Sequence, residues 1–377
     1  MFKVFRALIL GFLIFGLDLG AWSEARSPDN NPATILAAAS ESAVARAATP
    51  IDAHPQQGKK CKTKGLVKIA TIGAGVLPVD INTELQQVVD IMIDHWRKKF
   101  SLVLPDKPDL IVVPEACDCP SGWPLDKQQE YYRVRKDQVQ NFFAKVAKEN
   151  NCYIVYSAIR ETEDGSWRNS SVLLDRKGNI AGIYNKNHPM VEETTQAGIL
   201  CGRDVTIIDC DFGRVGFVIC FDLNFDELRL KYVKAKPDLL IFSSMYHGGL
   251  MQAYWAYSCR CHFVGAIAGD GTASEILDPL GRVIASTTNY FDYVTTMVNL
   301  DCCLAHLDYN WGRLNAMKDK YGPKVKIVDP GCIGSVLIAS EDQEISVEEM
   351  VREFKIELLD DYMKRALAHR HKAGNME

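Results

Sequence analysis

A carboxylate, an ammonium and a thiol stand just beyond apolar runs in this chain. Glu115 follows the β-branched run Asp109–Val113, Lys186 follows Ile180–Tyr184, and Cys220 follows Val215–Ile219. Each run reads as a strand, and functional groups in open α/β sheets gather at strand ends, so the three would meet in one pocket. Together they describe one chemistry. A thiol attacks only once it loses its proton, and a neighbouring carboxylate accepts that proton. Attack on an amide or nitrile carbon then builds negative charge, which an ammonium and a backbone N–H stabilise. Taken singly, each residue has a plainer reading. Most glutamates and lysines sit in solvent, and a cysteine ending an apolar strand is usually a small buried hydrophobe.

The surrounding elements alternate. Val67–Ile72 has the apolar and small alternation of a half-buried strand, and Leu85, Val88, Val89, Met92 and Trp96 fall at helical spacing. The pattern predicts a helix over 126–149, a strand over Tyr153–Ile159, and a hairpin of Ser171–Leu174 with Ile180–Tyr184 that turns at Gly178. After Val215–Ile219 come a helix near Asp226–Lys234, a strand Leu239–Phe242, a helix over 250–259 and a strand Phe263–Ala268. A second hairpin turns at Asp278–Gly281, and Tyr293–Leu300 closes the strand series. Strands alternating with helices, with hairpins mixed in, indicate a layered α/β fold with mixed sheets.

Three segments sharpen this. Leu110-Ile-Val-Val-Pro-Glu115, Tyr184-Asn-Lys-Asn-His188 and Gly213-Arg-Val-Gly-Phe-Val-Ile-Cys-Phe-Asp222 resemble, in order and spacing, the glutamate, lysine and nucleophile motifs of the nitrilase superfamily. Asn169–Gly178 and Leu277–Arg282 resemble its connecting segments, so the likeness spans roughly residues 66–310. The resemblance implies a four-layer αββα sandwich. It implies Glu115 as general base and later acid, Cys220 as the nucleophile that forms a thioester, and Lys186 with the Phe221 N–H as the oxyanion site. A second glutamate that orients substrate or water falls on Glu193, with Glu192 as the alternative. The family's usual Arg and Pro after the cysteine are replaced here by Phe221-Asp-Leu-Asn-Phe-Asp-Glu227, and the segment Ser258–His262 also departs from its pattern. Both departures bear on substrate identity. His188 reads as support for the lysine loop and Asp222 as structural.

The expected activity is hydrolysis of a small amide or carbamoyl compound, with water as acyl acceptor and no cofactor or metal. The alternatives are a nitrilase or an acyltransferase using the same residues, or a non-catalytic secreted binding protein on this fold. A net charge of -5 leaves no basic excess to suggest nucleic acid. Lys3 and Arg6, the apolar run Ala7–Leu17 and the small residues at Ser23-Glu24-Ala25 have the layout of a signal peptide over 1–25, with an uncleaved membrane anchor as the alternative. Residues 26–65 read as a flexible linker rich in Ala, Pro, Ser and Asn, leaving 66–340 for the hydrolase domain.

Export would permit disulfides among the twelve cysteines, with Cys117-Asp-Cys119 and Cys302-Cys303 the conspicuous pairs. Asn169-Ser-Ser171 is formally a glycosylation acceptor, though the resemblance implies that it starts a strand the family buries, which favours an unmodified structural Asn. The tail 341–377 opens with a capping box at Ser346-Val-Glu-Glu349, and Val347, Val351, Phe354, Leu358 and Tyr362 form a helical stripe. Such a stripe packs on the domain or on a second subunit, and a homodimer or a higher homo-oligomer is expected.

Overall fold

Successive residues of each central strand enter different cores, and this alternation builds the molecule. The computed structural model describes residues 65–269 and 271–376. The signal peptide expected over 1–25, and the linker expected over 26–65 apart from Gly65, lie outside these residues.

The chain runs through β1 (Leu66–Ile72), α1 (Leu85–Val103), β2 (Leu110–Val112), α2 (Leu125–Arg135), α3 (Gln138–Asn150), β3 (Tyr153–Glu161), β4 (Trp167–Leu174), β5 (Ile180–Asn185) and the short α4 (Val191–Thr195). It continues through β6 (Ile207–Asp209), β7 (Arg214–Ile219), α5 (Asp226–Ala235), β8 (Leu239–Ser244), α6 (Leu250–Cys259), β9 (His262–Ile267), β10 (Glu275–Leu277), β11 (Val283–Ser286) and β12 (Tyr293–Asn299). One six-stranded sheet has the order β12-β1-β2-β3-β4-β5 and the other β11-β10-β9-β8-β7-β6. Each is parallel at its centre, β1-β2-β3 and β7-β8-β9, and antiparallel toward its edges. The expected mixed sheets are present.

Leu110 and Val112 of β2 face the second sheet, where Phe217, Ile219, Leu239 and Ile241 meet them. Ile111 and Val113 point the other way, into a core shared with Trp96, Phe100 and Phe143 of α1 and α3. In the second sheet Val218, Leu240 and Phe242 turn outward onto Leu228, Tyr232 and Trp255 of α5 and α6. Both faces of each sheet are covered, which is why these strands read as near-continuous apolar runs. The result is the expected αββα layering. Hydroxyls cross the middle layer: Thr71 donates to the Gly265 carbonyl at 2.8 Å, and Ser157 to Ser243 at 2.9 Å.

Three expectations need amendment. The helix over 126–149 is two helices, because the chain turns at Lys136, whose φ is 44°. The Arg135 side chain just before that turn points inward, onto Asp118 and the Ile159 carbonyl. The strand series does not close at β12. β13 (Cys302–His306) follows almost at once, then α7 (Trp311–Tyr321), β14 (Val325–Val328) and β15 (Ser335–Ser340), and these strands form a third sheet ordered β13-β15-β14. The tail stripe is divided between α8 (Val347–Glu353) and α9 (Leu359–Arg370), with Lys355 at positive φ between them. The capping box holds at Ser346 and Glu349. Val347 and Met350 of α8 share a core with Leu314, Met317, Val336 and Ile338, so packing runs continuously across position 340.

All eleven cysteines among the described residues are free. No described helix is long and apolar enough to cross a membrane.

Candidate active site

Two tight turns carry the candidate base and nucleophile. Glu115 lies three residues beyond β2, and Ala116 after it adopts a φ of 45°. Cys220 itself has a φ of 48°, where β7 stops and a 3-10 turn, Cys220–Asn224, begins. A non-glycine residue in this region costs of order 1–3 kcal/mol and persists only where its surroundings enforce it. The reversal brings the thiol to the lip of the sheet, as strand-to-helix nucleophile turns do.

The Glu115 turn is pinned from several sides. Cys117 N–H donates to the Ser157 carbonyl at 2.9 Å, and the Trp96 indole donates to the Cys117 carbonyl at 2.9 Å. Asp118 accepts from Arg135 Nη1 at 3.0 and 3.1 Å and from Tyr156 Oη at 2.5 Å, with all three residues buried. The Cys117-Asp-Cys119 segment therefore serves a buried ion pair rather than a disulfide.

Lys186 extends from the end of β5 and is almost wholly buried. Its ammonium donates to Glu115 Oε1 at 2.9 Å and to Glu193 Oε2 at 2.7 Å. Burial alone would lower its pKa, but Glu115 and then Glu193 more than offset this, so the group is held as a cation. A buried ammonium persists only with such partners. Glu193, on α4, also accepts the Met190 N–H at 2.7 Å. Glu192 faces outward at the mouth of the site.

Asn169, on β4, donates from Nδ2 to Glu115 Oε1 at 2.7 Å and to Glu193 Oε1 at 3.1 Å. Glu115 Oε2 accepts the Met245 N–H at 3.2 Å. Burial pushes the Cys220 thiol up to about 12, and the adjacent Glu115 carboxylate adds to the rise, while Lys186 and the Met245 backbone oppose it. The resting nucleophile is thus a neutral thiol beside a carboxylate able to take its proton.

These groups form the floor of a cavity of about 450 Å³. The fold brings Glu115, Lys186, Glu193 and Cys220 together there. The Phe221 ring swings away, edge-on to Phe225 at 5.2 Å, and is not part of the cavity wall. Two features were not foreseen from the sequence: the clamp formed by Asn169, and an aromatic wall of Trp123, Tyr132 and Trp167. The strand expected over Ser171–Leu174 begins earlier, at Trp167, and so includes Asn169, whose carboxylate partners come from other segments.

The sequence matches the carbon-nitrogen hydrolase family over residues 68–301, more than half of the chain. The chain belongs to this family. It is 23% identical to a hydrolase of Schizosaccharomyces pombe over 201 residues, covering 48% of this chain and 62% of that protein. It is 26% identical to the deaminated glutathione amidase of Homo sapiens over 169 residues, covering 38% of this chain and 49% of that enzyme. The chain thus spans about half to three fifths of the length of these curated relatives. The crystal structure of a carbon-nitrogen hydrolase from Helicobacter pylori superposes with a TM-score of 0.53 at 15% identity, over 63% of this chain and 90% of that one, and so shares the fold.

In this family member a second network ties the lysine loop to the nucleophile turn. Asp222, fully buried, accepts from the His188 backbone N–H at 2.7 Å, from Tyr184 Oη at 2.7 Å and from the Ile219 N–H at 3.2 Å. The His188 ring lies between Asp222, 3.0 Å from Nδ1, and Glu227, 3.0 Å from Nε2, and stacks on Phe225 at 3.8 Å. His188 and Asp222 thus hold the segment two residues after Lys186 against the segment two residues after Cys220.

Proposed function

We propose that the protein hydrolyses the carbon–nitrogen bond of small amides through a thioester on Cys220. The observation that carries this reading is the convergence at one cavity floor: Lys186 sits between Glu115 and Glu193, and the Cys220 thiol lies against Glu115. Relatives named as amidases support the choice of amide.

As Cys220 Sγ attacks the amide carbon, its proton passes to Glu115, and the carbonyl π pair moves onto oxygen. Lys186 and the N–H of Phe221 stabilise that oxyanion. Collapse of the adduct breaks the carbon–nitrogen bond, and Glu115 returns the proton to the leaving nitrogen, which departs as ammonia or amine. Water then gives a proton to Glu115 while its oxygen attacks the thioester. The carbon–sulfur bond breaks, the sulfur recovers the proton, and the acid is released. A thiol that is neutral at rest requires a base at this position, because little thiolate exists before attack. Export and a two-fold pairing of subunits belong to the same proposal.

The experiment is mass spectrometry of the Cys220 peptide after rapid quenching during turnover of amide substrates. The expected mass is that of the substrate acyl group added to Cys220, and it should be absent from Cys220→Ala. Near-native turnover by Cys220→Ala would sink the reading.

A further inference from the structure

The cavity beside Cys220 has two chemically distinct ends. Its floor carries Glu115, Lys186, Asn169, Glu193 and the thiol. Away from the floor the wall is mainly aromatic and aliphatic, built from Trp123, Tyr132, Ile159, Trp167, Ala197 and Ile199. Tyr132 and Trp167 are buried and adjacent, with ring centroids 5.9 Å apart and planes tilted by 50°.

The polar groups of Trp123, Gln128 and Gln129 in that wall are turned toward the protein, and Gln196 lies exposed. Trp123 Nε1 donates to the Val79 carbonyl at 2.8 Å. Gln128 Nε2 donates to the Trp123 carbonyl at 2.8 Å, and Gln129 Nε2 to the Ala197 carbonyl at 3.0 Å. Burial pushes the Cys119 thiol up to about 11, so it too lines the cavity as a neutral group.

Charge sharpens the contrast. Among the described residues that line the cavity, the one cationic side chain is Lys186, already flanked by two carboxylates. The nearby Arg133 guanidinium packs over the Trp167 ring at 5.5 Å, lies 3.9 Å from Glu161 and does not reach the cavity. The remaining charged lining residue is Glu192, exposed at the mouth. A carboxylate on the acyl part of a substrate would pass an acidic residue and come to rest against aromatic rings with no cation to meet it. Moving an ionised group out of water without a partner is strongly unfavourable, whereas an apolar group gains from the same transfer.

We infer that this site takes amides of uncharged, apolar monocarboxylic acids, of the aryl-alkanoic or medium-chain aliphatic kind. It discriminates against amides whose acyl part bears a second carboxylate. The reactive amide sits on the polar floor, and the apolar remainder lies against the rings of Tyr132 and Trp167. This inference rests on the hydrolase reading above. A cavity of about 450 Å³ is within the usual range for small-molecule ligands.

The test is ammonia release by the full chain from 3-phenylpropanamide, hexanamide and succinamate, with mass analysis of the Cys220 peptide in each reaction. The expected result is a kcat/KM for 3-phenylpropanamide roughly a hundredfold or more above that for succinamate, the cost of burying an unpaired carboxylate. Trp167→Ala is expected to raise KM for 3-phenylpropanamide by about tenfold with kcat little changed, the signature of lost uniform binding, and Trp167→Phe to restore most of it. Succinamate turned over as well as, or better than, the two apolar amides overturns the inference and leaves the hydrolase reading standing. Absence of both ammonia and an acyl mass on Cys220 with all three amides overturns the two together.

Discussion

The side-chain nitrogen of Asn169 lies 2.7 Å from Oε1 of Glu115, the same carboxylate oxygen that accepts from Lys186. That nitrogen also reaches Glu193 at 3.1 Å, so one amide clamps the candidate base and the carboxylate on the far side of Lys186. Oriented this way, Asn169 presents donors to both carboxylates, and an Asp in its place would present only acceptors.

Asn169→Asp is therefore expected to lower kcat at least tenfold, part of the roughly 10²–10⁴ that a positioned base contributes. KM should change little, because the residue acts through Glu115. Steady-state kinetics beside a thermal melt decides the matter: a change confined to KM, or a kcat loss matched by loss of folded protein at the assay temperature, counts against a positioning role.

Glu115→Gln should separate reactivity from turnover. The Glu115 carboxylate helps raise the Cys220 thiol, so removing its charge lowers that pKa and leaves more thiolate at pH 8. Alkylation of Cys220 by iodoacetamide, followed by peptide mass, should become faster in this variant while amide turnover falls at least a hundredfold, the low end of general-base effects. Slower alkylation in the variant would show that the carboxylate does not oppose the thiolate.

His188 should give the fold a pH dependence. Burial lowers its pKa, but the hydrogen bonds to Asp222 and Glu227 outweigh this, and the net shift is upward from 6.5. A raised folded pKa means that the protonated ring stabilises the native state. The contribution is fully present below about 6.5, the unfolded value, and is lost as pH rises through the folded one. The stability gap between wild type and His188→Gln, measured by urea unfolding, should be largest near pH 5.5 and shrink toward pH 9. A gap that does not vary with pH would remove the charged ring from the account.

Asp118→Ala strands the Arg135 guanidinium without its buried partner. Breaking such a pair costs about 3–5 kcal/mol. Urea unfolding should show that loss, and turnover should fall as well, since Asp118 anchors the turn that carries Glu115. A destabilisation under about 1 kcal/mol, the scale of an exposed pair, would mean that the pair is solvated in solution.

Export is expected from the charged start, short apolar run and Ser23-Glu24-Ala25. N-terminal sequencing of the native protein should find a start close to residue 26. Retention of Met1 or Phe2 would contradict this.

The candidate chemistry and the αββα layering were legible through the resemblance of ordered motifs, and the alternation of strands and helices through local periodicity. Apolar runs long enough to bury two faces mark β2, β7 and β8 as central strands, and the likeness of three ordered segments to nitrilase-superfamily motifs points to Glu115, Lys186 and Cys220. The capping box at Ser346 is likewise a local signal, and it appears as written. Element boundaries that depend on distant partners were not legible. The break between α2 and α3 accompanies an Arg135 side chain that turns toward Asp118, seventeen positions earlier. The third sheet was missed because β13 begins three residues after β12 ends, and nothing local shows that Leu304 and Ala305 leave one core for another.

The site's detail was decided by tertiary structure for the same reason. Glu192 and Glu193 are equivalent as neighbours in sequence, and only the angle at which α4 meets the floor gives Glu193 to Lys186 and leaves Glu192 at the mouth. Trp123, Tyr132 and Trp167 come from a loop, a helix and a strand with no shared periodicity, so the wall that they form exists only after the layers close. Residue type and strand register state what a group is able to do, because they are properties of a short stretch of chain. Which groups meet, and which charge is left unmatched, depends on contacts between segments far apart in sequence, and these are fixed only when both sheets and their helices pack.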